Sequence, residues 1–128
     1  MSEVPTDEEI SQLIEAASEQ GATEELLVRI LADTGMRLST LLEMEESWLE
    51  SGTIHIPKDS TKMNKGGTVT IQDEETQKFV EEWFGIHSEL DISRATAYRY
   101  VTRASEKAGL NEEVTPIDLR RYVAESLS

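Results

Sequence analysis

The chain has 128 residues, enough for one domain with a modest core. It contains no cysteine, which excludes disulfide bonds and thiolate metal sites, and no stretch approaches the roughly eighteen consecutive apolar residues of a membrane span. Twelve lysines and arginines against 26 aspartates and glutamates give a formal net charge of -14, so the chain as a whole repels polyanions.

The first part of the chain predicts two helices. Thr6 and Glu9 have the spacing of a capping box, and apolar residues continue at helical intervals until Gly21. Thr23 is expected to cap a second helix, whose apolar face repeats at the same intervals and which ends near Thr34. Both helices precede the first predicted strand.

A corner follows the second helix. Gly35 accepts a positive φ without a Cβ clash, which is typical of the residue just past a helix end, and Ser39 is expected to cap a short third helix. Arg37 then lies between the two helices. It either caps the carbonyls of the second helix or pairs with Glu43, or it is a cation held in position for an anion. The local pattern leaves these interpretations open.

The middle of the chain changes to the periodicity of strands. Residues 53–57 and 68–71 alternate between apolar and polar side chains, and the segment 58–67 between them is polar and contains two glycines. This pattern predicts an antiparallel β-hairpin with a lysine-bearing turn, either alone or joined by a third strand near residues 44–49.

Helices return in the last part of the chain. Asp73 is expected to cap one helix, Ser93 caps a second that ends at Gly109, and Thr115-Pro116 opens the last. The order of helices, a small sheet and further helices predicts an α+β fold that is mainly helical.

The helix that begins after Ser93 has two different faces. One face carries Arg99, Arg103 and Lys107 at intervals of four residues. The core face is predicted to comprise four other residues, namely Ala95, Tyr98, Val101 and Ala108.

Charge is distributed unevenly along the chain. Residues 1–50 hold thirteen acids and two cations, Arg29 and Arg37, whereas residues 92–105 hold three arginines and no acid. A dense acidic shell is typical either of a halophilic protein, which uses it to stay soluble in concentrated salt, or of a protein that mimics nucleic acid or binds basic partners. The localised basic segments favour a protein that meets an anion at one place.

Local patterns for metal or nucleophilic chemistry are weak. His55 and His87 have no ligand spacing around them, and the sequence has neither a glycine-rich phosphate loop nor a local arrangement of serine, histidine and acid. We therefore expect no metal ion or other cofactor.

Three blocks of the chain stand out together. They are residues 34–39 (Thr-Gly-Met-Arg-Leu-Ser), 61–69 (Thr-Lys-Met-Asn-Lys-Gly-Gly-Thr-Val) and 115–121 (Thr-Pro-Ile-Asp-Leu-Arg-Arg). In order and spacing they resemble the catalytic domain of the tyrosine recombinases, or phage integrases, and residues 104–110 resemble the helix end that precedes the last block. The resemblance implies that residues 1–128 form a single, partial catalytic domain with that family's catalytic core fold.

The resemblance implies a part in DNA integration and recombination. In that family two arginines clamp the scissile DNA phosphate, a hairpin lysine protonates the leaving 5′ oxygen, and a tyrosine attacks the phosphate without a metal. Carried over by motif, Arg37 and Arg120 are the clamp and Lys62 is the general acid. The other cations expected to contact DNA are Lys65, Arg94, Arg99, Arg103 and Arg121. Double-stranded DNA and further recombinase protomers are the implied partners.

The chain departs from the family pattern at three positions. Ile117 and Arg121 stand where the family usually has histidines, and Gly67 stands where a basic residue commonly follows the lysine turn. Isoleucine can neither donate nor accept a proton, so Ile117 cannot supply the acid and base role of the first histidine. The position is one that varies in the family.

The family's nucleophile is expected beyond these residues. Tyr98, Tyr100 and Tyr122 all precede the position that the family's tyrosine occupies, and the sequence ends at Ser128. We therefore expect this polypeptide to hold DNA without cleaving it.

Two other classes of function stay open. Residues 92–100 are similar to a recognition helix, which would make the chain a non-catalytic, helix-turn-helix-like DNA-binding or regulatory module. The acidic composition also suits an interaction protein with no nucleic-acid role. The N-terminal residues lack the basic and apolar regions of a signal peptide, so a cytoplasmic protein that does not enter a membrane is expected.

Overall fold

The computed structural model describes residues 4–58 and 66–126. In these ranges the chain forms six α-helices and a three-stranded antiparallel sheet, which confirms the predicted mainly helical α+β fold. The helices are α1 (Asp7–Gln20), α2 (Ala22–Thr34), α3 (Leu38–Leu42), α4 (Glu74–Phe84), α5 (Arg94–Lys107) and α6 (Pro116–Ser126), and the strands are β1 (Leu49–Glu50), β2 (Thr53–Ile56) and β3 (Gly67–Thr70). None of the described helices is both long and apolar enough to cross a bilayer.

The sheet has the strand order β1-β2-β3. Ile54 on the central strand lies opposite Leu49 on one side and Val69 on the other, and its side chain is fully buried. The predicted hairpin is therefore confirmed, and the third strand forms at the C-terminal end of the segment where it was expected.

Helix α2 is the centre of the fold. It packs against α1, α4, α5 and α6. Six consecutive residues, 26–31, are buried, so this helix is covered on every side rather than along one stripe. Its C-terminal end and the corner that follows are thus held in place by the rest of the domain.

The helix caps that depend on adjacent residues form as predicted. The Glu9 backbone N–H donates to Thr6 Oγ1 at 3.1 Å, and the Thr6 N–H donates to Glu9 Oε1 at 2.9 Å, which completes the capping box. The side chains of Asp73 and Ser93 likewise accept the backbone N–H three residues ahead, at 2.9 Å and 3.1 Å.

Two predicted caps are wrong. Helix α2 begins at Ala22 because the extended Gly21 serves as its N-cap, so Thr23 lies inside the helix. Helix α3 begins at Leu38, with Arg37 as an extended N-cap, so Ser39 is also inside the helix. Leu38 is buried, and this tertiary contact includes it in the first turn.

The predicted core face of α5 is wrong except at Val101. Tyr98 is 41% exposed and Ala95 is exposed, while Ala108 is half-buried. Because α5 packs against both α1 and α2, its inner face is made of small residues that allow close approach, and the tyrosine ring lies outside. The buried residues of the helix are Ala97, Val101, Thr102, Ala104 and Ser105.

Candidate functional site

The corner after α2 requires glycine for two reasons. Gly35 has φ of 68°, in the left-handed region, and its N–H donates to the Leu31 carbonyl at 3.0 Å. A Cβ at this position would also lie 2.9 Å from Cβ of Val123 on α6. Helix α6 therefore packs directly on the backbone of the corner.

Side-chain hydrogen bonds fix the residues on either side of Gly35. Thr34 Oγ1 donates to the Ile30 carbonyl at 2.7 Å and accepts the Met36 N–H at 3.2 Å. Met36 itself is buried. The backbone that leads to Arg37 is therefore held by hydrogen bonds and by packing.

Arg120 of α6 is brought to the same corner. Its Nη1 atom donates to the Gly35 carbonyl at 2.9 Å, across a separation of 85 residues in the sequence. A guanidinium has five N–H donors, and within residues 4–58 and 66–126 this is the one hydrogen bond that the Arg120 side chain makes. The structure thus places two predicted site residues, Arg37 and Arg120, at one corner, with donors of Arg120 left for a ligand.

Arg37 is exposed at the start of α3. Its carbonyl accepts the Leu41 N–H at 3.0 Å, which fixes its backbone as a helix N-cap. In the described part of the chain, the Arg37 side chain forms neither an ion pair with Glu43 nor hydrogen bonds with the carbonyls of α2. The side chain is attached to a rigid base, and its donors are free of protein partners among those residues.

A second contact ties α6 to the N-terminal helix. The Tyr122 hydroxyl donates to Asp7 Oδ1 at 2.6 Å. Partial burial, followed by the hydrogen bond to Asp7 and its negative charge, raises the pKa of Tyr122 to about 12. This bond links the helix that carries Arg120 to the first turn of α1.

The remaining predicted cations lie in three places. Lys62 and Lys65 fall in residues 59–65, outside the described residues. Arg94, Arg99 and Arg103 are exposed along α5, which contacts α3 directly. Arg121 Nη1 is 3.9 Å from Asp118 Oδ1, so part of its charge is offset within α6.

Sequence reasoning missed Asp33, whose carboxylate accepts two backbone N–H groups. They belong to Gln72, at 2.8 Å, and to Asp73, at 2.9 Å. The sequence feature that could have identified Asp33 is its position: it is an acid in the last turn of a helix, where the helix dipole disfavours negative charge.

Among residues 4–58 and 66–126, no three histidine, aspartate or glutamate side chains are grouped so as to hold a metal ion.

Comparison with known proteins identifies the family. The model of the phage integrase family matches residues 3–128. The chain belongs to the phage integrase family. No curated protein sequence matches it.

Solved structures of tyrosine recombinases share the fold of this phage integrase domain. The XerA recombinase superposes with a TM-score of 0.83 at 26% identity, over 99% of this chain and 50% of that one. XerH in a pre-cleavage complex with its difH substrate gives 0.77 at 23% identity, over 99% and 43% of the two chains. A lambda integrase dimer bound to a COC′ core site gives 0.75 at 20% identity, over 96% and 51%. The chain therefore has the tyrosine recombinase catalytic core fold and spans about half the length of these relatives.

Two features distinguish this phage integrase domain from the pattern expected of its family. Ile117, at the first histidine position, is 64% exposed, so an apolar side chain projects from the first turn of α6. The other is that Tyr122 donates to Asp7 and has a raised pKa, which disfavours the phenolate form of this tyrosine.

Proposed function

We propose that this chain is the DNA-binding part of a site-specific tyrosine recombinase or integrase, in which Arg37 and Arg120 clamp the scissile phosphate. The single observation that carries the proposal is the 2.9 Å hydrogen bond from Arg120 Nη1 to the Gly35 carbonyl. It draws a cation from α6 to the corner that presents Arg37, two residues away in the sequence. Two arginines on separate elements at one rigid corner suit a single phosphate group.

Arginine fits this task because its planar fork forms paired, charge-assisted hydrogen bonds to phosphate oxygens. As phosphoryl transfer proceeds, negative charge spreads over those oxygens, and donors that are already in place stabilise it without reorganising. The corner supplies that preorganisation, since Gly35 is packed against Val123 and Met36 is buried. The clamp therefore holds the DNA phosphate with donors that are suited to stabilise this charge when a nucleophile attacks.

Lys62 is the proposed general acid, which protonates the leaving 5′ oxygen, and no metal ion or cofactor takes part. The cations on α5 (Arg94, Arg99 and Arg103), with Lys65 and Arg121, contact the DNA backbone on either side. We assign no described tyrosine as nucleophile, and we expect the 128-residue chain to bind DNA without cleaving it. The lambda integrase structures, one bound to DNA and one a dimer bound to a COC′ core site, support duplex DNA and further protomers as partners.

A salt titration of binding to a labelled duplex tests the proposal. Each neutralised phosphate releases counterions, so the affinity should fall steeply as salt rises, and it should be weak because the background charge is -14. An affinity that is flat from low to high salt would contradict the phosphate clamp. The absence of duplex binding even at low salt would favour an acidic interaction protein instead.

The exposed arginines of α5 favour one alternative, a helix-turn-helix-like module that binds DNA through α5 alone. The variants Arg37→Ala and Arg99→Ala separate the two. A module of that kind keeps its affinity when Arg37 is removed, whereas the clamp loses affinity in both variants.

We further propose a halophilic origin for the acidic surface. In that case the free energy of unfolding should rise with the concentration of potassium chloride, because salt screens the repulsion between the acidic side chains.

A further inference from the structure

The Asp33 side chain joins the end of α2 to the segment that precedes α4. Its two carboxylate oxygens accept the N–H groups of Gln72, at 2.8 Å, and Asp73, at 2.9 Å. Asp33 lies two residues before Gly35, whose carbonyl holds Arg120. Residues 72 and 73 lie in the short segment between strand β3 and α4. A single side chain therefore links this segment to the clamp corner.

The position is an unfavourable one for an acid. Asp33 is in the last turn of α2, where the helix dipole disfavours a negative charge. It is also close in sequence to a corner that should attract phosphate, which a nearby carboxylate repels. Two charge-assisted hydrogen bonds to backbone N–H groups offset these costs. The same backbone segment is fixed further by Asp73, which caps α4 through the Thr76 N–H at 2.9 Å.

We propose that Asp33 is a positioning residue for DNA phosphate binding. It ties the end of α2 to residues 72 and 73, and so fixes the position of the adjacent corner that carries Arg37. The inference rests on the proposed function, because it assigns Asp33 a role only if Arg37 binds DNA. Asp33 acts through the backbone and does not touch the phosphate.

The variant Asp33→Asn gives opposite predictions for the two possible roles. Asparagine has the same size and can accept one of the two N–H groups, but its own NH2 group then faces the other donor. If only charge mattered, removing a negative charge would strengthen DNA binding. Positioning predicts a loss of about threefold to tenfold, and a salt slope that becomes shallower by about one unit as one phosphate contact is lost.

Two further variants serve as controls. Asp33→Glu keeps the charge but lengthens the arm, so positioning predicts a loss of affinity here too. Glu15→Gln removes an exposed charge on α1, and Glu15 and Asp33 both line one groove of about 540 Å³. Its affinity should stay the same or rise. Circular dichroism at the binding temperature confirms that each protein is folded.

A double-mutant cycle with Arg37→Ala completes the test on a short labelled duplex. We expect Arg37→Ala to cost about tenfold in the wild-type background and less than about threefold in the Asp33→Asn background, because the two residues act as a unit. The inference is overturned if Asp33→Asn binds as tightly as wild type, or if the Arg37 loss is equal in both backgrounds. If Arg37→Ala costs nothing in wild type, the clamp itself fails, and with it the role of Asp33.

Discussion

Arg29 and Arg37 are the two cations among the first fifty residues, and they differ completely in environment. Arg29 is 9% exposed in the middle of α2, where Nε donates to Glu25 Oε2 at 2.7 Å and Nη1 donates to Thr76 Oγ1 at 3.2 Å. Its guanidinium lies 5.5 Å from the ring centroid of Phe79. Arg37 is exposed, and within the described residues its side chain contacts no acid.

The difference shows how a fold decides what an arginine does. Arg29 has Glu25 one turn before it and faces α4, so its donors are used to join two helices. Its second ion pair, to Glu75 Oε1 at 3.3 Å, involves a side chain that is 78% exposed and adds little stability. Arg37 stands at the start of α3, just past the end of α2, and its side chain is exposed. A buried arginine stabilises the domain, and an exposed one on a rigid base is available to a ligand.

The largest expected effect is on stability, from Arg29→Met. The substitution leaves the mostly buried Glu25 without its cation, and breaking a buried pair typically costs about 3–5 kcal/mol of unfolding free energy. Urea denaturation measures the loss. Arg103→Met, at an exposed cation of α5, is the control and should change stability by less than about 0.5 kcal/mol. An equal effect in the two variants would mean that Arg29 has no structural role.

Gly35→Ala should come next. It combines a left-handed backbone at φ of 68° with a Cβ placed 2.9 Å from Val123, for a total of about 2–4 kcal/mol. Gly109→Ala is a matched control, since its φ is 73° but no atom lies within 4 Å of the added Cβ. It should cost about 1 kcal/mol from backbone strain alone. Thermal unfolding of both variants tests whether α6 packs on the corner as described, and equal losses would contradict that packing.

The smallest effect concerns Tyr122 and pH. Its pKa is about 12 in the folded chain and 10.0 in the unfolded one, so the native state keeps a proton that the unfolded state loses between these values. The stability from the Asp7 bond is thus fully present below pH 10 and is lost as pH rises towards 12. The free energy of unfolding should fall more steeply over that window in wild type than in Tyr122→Phe. Equal slopes would show that the hydroxyl does not retain its proton in the native state.

The parts of the fold that depend on adjacent residues were predictable from sequence. The capping box of Thr6 and the caps at Asp73 and Ser93 form as predicted, because donor and acceptor are three residues apart. Gly35 was recognised because only a glycine suits that helix end. The starts of α2 and α3 were misplaced because Gly21 caps α2 through its backbone and because buried Leu38 is part of the first turn of α3.

Features that depend on distant residues could not be predicted in the same way. Tyr98 faces outwards because α1 and α2 both approach the small residues on the other side of α5. The bonds of Asp33 to residues 72 and 73 join parts of the chain about forty positions apart, and no periodicity encodes them. The pairing of Arg120 with the Gly35 corner was implied by the family resemblance and not by any local pattern.

Binding of Arg37→Ala to a labelled duplex across a range of salt concentrations tests the central claim most directly. The clamp predicts an affinity about tenfold weaker than wild type, a salt slope shallower by about one unit, and an unfolding free energy within about 0.5 kcal/mol of wild type. Arg37→Lys keeps the charge but loses the fork, and should recover part of the affinity. Unchanged affinity and slope in Arg37→Ala would contradict the claim that this arginine holds a DNA phosphate.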